Sequence, residues 1–273
     1  MSKWLKRSLV AMAAVVLVGM VVAPVRAAPV VVISDTFTST GSEQYNIFKN
    51  HRTPNVTNLP GLTWNGESSA NTFWGAFISA SWRGWNNNTV SFGHAEKTDS
   101  IGWGAVGLGT YNDADVLTIS ADLRLGGSST TGNQGIGLGF WGTLPTATDA
   151  SDRLTGFTGL FVTRTGLTLY ENGTAGTSVS LTGTVGTHML SYDVNVATGA
   201  ISNVTFAGNP VSGFSSSAFK TAATENAGLV SSGVSSGYNG ADNFTVLLIP
   251  EPATMALLGL GGLGVLIRKN RRA

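Results

Sequence analysis

Alternation of apolar and polar positions with a period of two is the leading pattern of the chain between Ala28 and Leu248. In VLTISADLRL, Leu117, Ile119, Ala121, Leu123 and Leu125 fall on one side and Thr118, Ser120, Asp122 and Arg124 on the other, which predicts a strand with one wet face. HMLSYDVNV repeats the pattern with Leu190, Tyr192, Val194 and Val196 inward. The turn Ala197-Thr198-Gly199-Ala200 follows, and then ISNVTF with Val204 and Phe206 inward, so a hairpin is expected. LTLY runs into Glu171-Asn172-Gly173, and VSL comes next; the Asn-Gly pair suits the positive φ of a tight turn and predicts a second hairpin. Further strands are expected at residues 30–33, 73–79, 89–92, 135–141, 159–163 and 243–248. Between Ala28 and Leu248 no stretch of twelve residues carries a helical period. Roughly a dozen short strands at turn-marked intervals predict an all-β chain of two packed antiparallel sheets. A parallel solenoid would need a fixed repeat of about twenty residues, and none is present.

The two ends break this pattern. Residues 1–27 have a basic start (Lys3, Lys6, Arg7), an apolar run from Leu9 to Ala23, and small residues around Val25-Arg26-Ala27 before Ala28. That is the three-part layout of a secretory signal helix; the competing reading is a retained anchor. At the other end, residues 249–273 place Pro250-Glu251-Pro252 before an apolar run from Ala253 to Ile267 and the cluster Arg268, Lys269, Arg271 and Arg272. As a helix, the run would span ~22 Å, short of the ~30 Å hydrocarbon core, and its glycines weaken it further. The two prolines keep Ile249 and Glu251 extended, a form that processing enzymes bind. The basic cluster would stay cytoplasmic while the body crosses.

Charge is divided between ends and body. Eight of the sixteen basic residues lie in the two ends, leaving eight basic and fourteen acidic side chains between Ala28 and Pro250, a net charge of −6. The body therefore lacks the basic stripe of a nucleic-acid binder. The absence of cysteine excludes disulfide staples, thiolate zinc sites and cysteine nucleophiles.

Patterns that imitate catalytic motifs do not hold up. Gly102–Gly107 and Gly137–Gly142 both fit GxGxxG, but each is followed by turn or strand rather than the helix a dinucleotide needs. Gly233-Val234-Ser235-Ser236-Gly237 fits GxSxG, yet His51, His94 and His188 all precede it, the reverse of α/β-hydrolase order. Glycoside hydrolysis needs two carboxyl groups near each other, which some polysaccharide-cleaving families take from alternate positions of one strand; none of Glu43, Glu67, Glu96, Glu171 or Glu225 has such neighbours, and Asp113 and Asp115, two apart, read as a solvated turn. The chain is expected not to be an enzyme, and no catalytic residue is assigned. Trp82 and Trp85, beside Asn86, Asn87 and Asn88 in SWRGWNNNT, are candidates for contact with a glycan, against the alternative that such rings fill the core.

Two resemblances complete the reading. The runs LYENG, GTHMLSYDVNVATGAISNVTF, NAGLV and GADNFTV resemble the second half of a concanavalin-like or laminin-G-like jelly roll. This implies an antiparallel jelly-roll β-sandwich in which a penultimate and a closing strand lie beside the first strand, near Asp35. By the same resemblance Asp35 and Asp242 are candidates for a structural calcium, against a reading as hydrogen-bonded turn aspartates; no other cofactor is expected. The layout of Pro250-Glu251-Pro252, short apolar helix and basic end is similar to the PEP-CTERM sorting domain of Gram-negative bacteria. That resemblance implies an integral membrane exosortase as partner, with Pro250, Glu251 and Pro252 as its recognition signal, transient residence in the inner membrane, and delivery to the cell surface or extracellular matrix. The organisation expected is a signal peptide at 1–27, a β-sandwich at 28–248 and a sorting segment at 249–273. A structural or adhesive role in an exopolysaccharide matrix is the leading expectation; a lectin-like carbohydrate-binding module and a glycan-cleaving enzyme are the alternatives.

Overall fold

The computed structural model describes residues 28–37, 53–57, 63–66, 74–77, 94–97, 101–108, 116–125, 135–142, 154–216, 226–232 and 239–249. Pro29–Leu248 form one compact unit. Its strands in chain order begin with β1 (Val30–Asp35), β2 (Val56–Thr57), β3 (Trp64–Gly66), β4 (Trp74–Phe77), β5 (His94–Lys97) and β6 (Ile101–Gly107). The long central strands follow: β7 (Val116–Leu125), β8 (Gly135–Trp141), β9 (Phe157–Thr163), β10 (Gly166–Glu171), β11 (Thr174–Ser180) and β12 (Gly186–Asn195). The last are β13 (Ile201–Phe206), β14 (Asn209–Pro210), β15 (Asn226–Ser232) and β16 (Asn239–Ile249). Among the described residues there is no α-helix.

Two antiparallel sheets enclose the core. Sheet A has the order β14-β13-β12-β7-β16-β1-β2, with β5 on the first part of β16 and β4 on β5; sheet B has the order β11-β10-β9-β8-β15-β6-β3. The predicted inward residues of β7 and β12 are buried, and Ile119 faces Tyr192 and Leu117 faces Val194 in register. With Leu138, Phe140, Leu160 and Leu229 from sheet B they form one continuous core. Each such aliphatic side chain contributes roughly 1.5–3 kcal/mol relative to exposure.

The two predicted hairpins are present. In β10–β11, Asn172 (φ 49°) and Gly173 (φ 83°) supply the two positive φ angles of the turn. In β12–β13, the Asn195 side chain accepts from the Thr198 amide and hydroxyl, closing the turn before Ala200.

Two expectations need correction. The closing strand does lie beside the first, with Asp35 opposite Phe244, but the penultimate strand β15 belongs to the other sheet, between β8 and β6. Its inward residues Ala227 and Leu229 serve sheet B, and alternation cannot say which of two facing sheets owns a strand. The closing strand also starts four residues earlier than expected, at Asn239. Asn243 (φ 51°) interrupts its alternation, leaving Ala241, Asp242 and Phe244 all buried. Such a left-handed residue in a strand breaks the period-two signal. The strand expected at 89–92 and both terminal helices lie outside the described residues.

Around β8, β9 and β15, sheet B is buried on its outer face as well. β8 alternates Ile136, Leu138 and Phe140 toward the core with Gly135, Gly137 and Gly139 on the other side, where Trp141, Phe157, Phe161 and Val230 form a second buried cluster. A Cβ on Gly137 would lie 2.6 Å from Val230 Cγ1 and 2.8 Å from Phe161 Cδ2, so the missing side chains are the space these neighbours occupy.

Candidate functional site

The sorting residues Pro250, Glu251 and Pro252 and the basic residues Arg268, Lys269, Arg271 and Arg272 lie outside the described residues, as do Trp82, Trp85, Asp113, Asp115 and Ser235. The structure does fix what precedes the tripeptide. β16 runs to Ile249, and its pairing with β1 ends at Val30 opposite Leu248, one residue earlier. The body's sheet is complete before Pro250 begins. The two GxGxxG matches are resolved as strand: Gly102–Gly107 is inside β6, and Gly137–Trp141 is inside β8, both paired antiparallel to β15.

Asp35 and Asp242 stand on adjacent strands, β1 and β16, and both are fully buried. Asp35 Oδ2 accepts from Trp64 Nε1–H at 2.8 Å, and Oδ1 accepts from the Phe37 amide at 2.8 Å. The first bond ties sheet A to β3 of sheet B; the second holds Phe37 at φ 49°, a left-handed conformation costly for a side chain of this size. The Trp64 ring packs in turn against Phe37 at 5.6 Å and Phe244 at 5.0 Å. Asp242 Oδ1 accepts from the Asn243 amide at 2.7 Å, and the Asn243 side chain donates to Asp122 of β7 at 2.8 Å. Both carboxylates are thus hydrogen-bonded to nearby backbone amides, as the calcium-free reading expects, but from within strands; Asp35 also ties the two sheets through Trp64, and beside Asp242 the Asn243 side chain ties β16 to β7. Among the described residues no group of three or more His, Asp or Glu side chains gathers as a metal site.

The concavity that the described residues do form was not legible as a site in the sequence. It lies on the outer face of sheet B at its β11 edge, a groove of about 260 Å³ lined by Thr163, Thr165, Gly166, Thr168, Tyr170, Ala175, Ser178 and Ser180, with Leu167 and Val179 beneath. Register explains the grouping. Gly166, Thr168 and Tyr170 of β10 face Ser180, Ser178 and Ala175 of β11 on one side, and Thr163, Phe161 and Gly159 of β9 on the other. An irregularity between Thr168 and Tyr170 sets two residues of β11, Gly176 and Thr177, against Leu169 alone, which bends the edge strand.

The groove's chemistry is uniform. Thr168 and Ser178 hydroxyls pair at 2.9 Å, and the Thr163 and Thr165 hydroxyls at 3.1 Å. No lining residue is charged. Tyr170 is half-buried, its ring 5.5 Å from Phe161 and 6.3 Å from Phe157, so the outer aromatic cluster backs it firmly. Gly166 (φ 149°) leaves the floor bare, since a Cβ there would collide with the Val179 carbonyl. The only hint in the sequence was the hydroxyl-rich alternation of the β10–β11 hairpin itself.

Comparison with known proteins agrees with the tail and the fold. Residues 248–272 match the PEP-CTERM protein-sorting motif, so the chain carries this signal, which marks an exported protein handled by exosortase at the membrane. No curated protein matches the chain. Among solved structures, a carbohydrate esterase from the Shiga toxin-encoding bacteriophage phi24B is 12% identical with a TM-score of 0.50, the match covering 82% of this chain and all of that one. The Emp46p carbohydrate recognition domain is 11% identical over 78% of this chain and 97% of its own, with a TM-score of 0.42. The lectin UEA-II complexed with galactose is 10% identical over 77% and 99%, with a TM-score of 0.43. At 12% identity the likeness to the first of these is one of fold alone.

Proposed function

We propose that this is a non-enzymatic surface or extracellular-matrix protein, delivered by its sorting tail and structural or adhesive in an exopolysaccharide matrix. On this reading residues 1–27 are a cleaved signal peptide, 28–248 a jelly-roll β-sandwich and 249–273 a segment that pauses in the inner membrane. The observation that carries it is the sorting motif at residues 248–272. Pro250, Glu251 and Pro252 serve as the recognition signal, and Arg268, Lys269, Arg271 and Arg272 hold the end cytoplasmic. The position of the tripeptide supports cleavage without damage to the body, because the last β1–β16 pair is Val30 with Leu248.

The body's chemistry supports a passive, hydrated role. Most outward positions of β7 and β12 are Thr, Ser, Asp and Asn, with Arg124 and Met189 among the exceptions, and the edge strand β11 is TAGTSVS, almost wholly exposed. Intact-mass measurement of the protein from its native host tests the reading: the expected mature form ends near Pro250. A mature form that retains Arg268 to Arg272 overturns the processing step. Deletion of the protein should weaken biofilm or floc cohesion, with no reducing ends released by the purified protein from host polysaccharide.

A carbohydrate-binding role is the second reading. The uncharged hydroxyl groove with its half-buried Tyr170 favours it over glycan cleavage.

A further inference from the structure

We propose that the groove between Thr163, Thr168, Tyr170 and Ser178 seats one neutral sugar ring of an extracellular glycan. This rests on the reading of the body as a matrix-associated module and names the ligand class it takes.

Three features select that class. The lining carries no charge, so neither a carboxylate nor an ammonium group finds a partner there, and the body's net charge of −6 repels polyanions. Its polar groups are hydroxyls, each able to donate and accept at once, which matches a ring bearing several hydroxyls better than a ligand that only donates or only accepts. The Thr168–Ser178 pair uses part of that capacity on itself and holds the two oxygens in place, while the buried Thr163 hydroxyl, bonded to the Thr165 amide and hydroxyl and to the Gly166 carbonyl, fixes the rim of the groove. Beside them stands the ring of Tyr170, an apolar surface for the C–H face of a pyranose, fixed by Phe157 and Phe161 so that little freedom is lost on contact.

Size and access agree. A volume of about 260 Å³ is below the range usual for drug-sized ligands and suits a single ring. The groove lies on the exposed edge hairpin, so the rest of a polymer can pass over β11 without burial. Weak affinity per site, multiplied along a polymer, suits cohesion.

The test uses the full chain in a zwitterionic detergent, titrated with neutral hexaoses of glucose, galactose and mannose, and with hexagalacturonate as the charged counterpart, followed by calorimetry and backbone amide shifts. Saturable binding of at least one neutral hexaose in the millimolar range or tighter is expected, with shifts centred on Thr168, Tyr170 and Ser178 and none from hexagalacturonate. Tyr170→Ala should weaken it roughly tenfold or more. Because that change also unpacks Phe161, the deciding variant is Thr168→Val with Ser178→Ala, which leaves the core untouched: melting unchanged, binding weakened to a similar degree. The proposal is overturned if no neutral hexaose saturates, if hexagalacturonate binds equally, or if the double variant binds normally. Binding lost instead in Trp82→Ala with Trp85→Ala moves the site and overturns it too. Intact mass of the double variant from the host separates the two readings, since a processed tail with no sugar binding leaves the sorting reading standing.

Discussion

Val30 and Leu248 are register partners at one end of sheet A, the last pair before the chain leaves the body in both directions. The first strand and the closing strand therefore release their ends side by side. A chain ending at Ile249 is expected to melt within about 2 °C of the full protein, a difference worth at most about 1 kcal/mol. A chain ending at Val246 loses the partners of Val30 and Val31 and should melt several degrees lower by calorimetry. Equal loss in both would mean that the tail itself stabilises the body.

Tyr192 of β12 reaches across the core to donate its phenol proton to the Leu138 carbonyl of β8 at 2.8 Å. Burial pushes the phenol well above its ordinary value of 10.0; a backbone hydrogen bond at Leu160 pulls the other way by less. The folded state thus holds the proton that the unfolded chain gives up near pH 10. The stability linked to Tyr192 is complete below that pH and is lost as pH rises from the unfolded value toward the higher folded one. Tyr192→Phe should cost about 1–3 kcal/mol at neutral pH, by leaving the carbonyl without this donor, and should flatten the alkaline fall in chemical denaturation.

Gly139 of β8 faces Gly159 of β9 under the ring of Phe157. A Cβ at Gly139 would lie 2.5 Å from the Thr158 carbonyl oxygen and 2.7 Å from Gly159 Cα, both backbone atoms that cannot swing aside. Gly139→Ala is expected to destabilise by about 1–3 kcal/mol or prevent folding. Gly208→Ala meets nothing within 4 Å and carries only the strain of φ 78°, about 1 kcal/mol. Urea midpoints of the two variants decide the order.

Asp35 is expected to act as a strap between the sheets, through Trp64 and Phe37, without a cation. Addition of chelator should leave the melting curve unchanged, while Trp64→Phe lowers stability by about 1–3 kcal/mol through loss of the indole N–H donor to Asp35. A melting temperature that falls with chelator and returns with calcium would instead assign a cation to Asp35 and Asp242.

Local rules settled much of this protein from sequence alone. Alternation in β7 and β12 assigned both the strand and its buried face, because successive side chains of an extended chain must point to opposite sides. Asn172-Gly173 fixed a hairpin because few residues accept two consecutive positive φ angles, and the tail carried its sorting signal in a contiguous run of residues. What tertiary structure decided was the meeting of residues far apart in the chain. Nothing local places β15 in the sheet opposite β16, buries Asp35 against Trp64, or fills the gap left by Gly137 with Val230 and Phe161. The groove follows the same logic. Its hydroxyls come from three strands whose register is set by packing of the core beneath, so a string of threonines and serines becomes a site only after the sheet has formed.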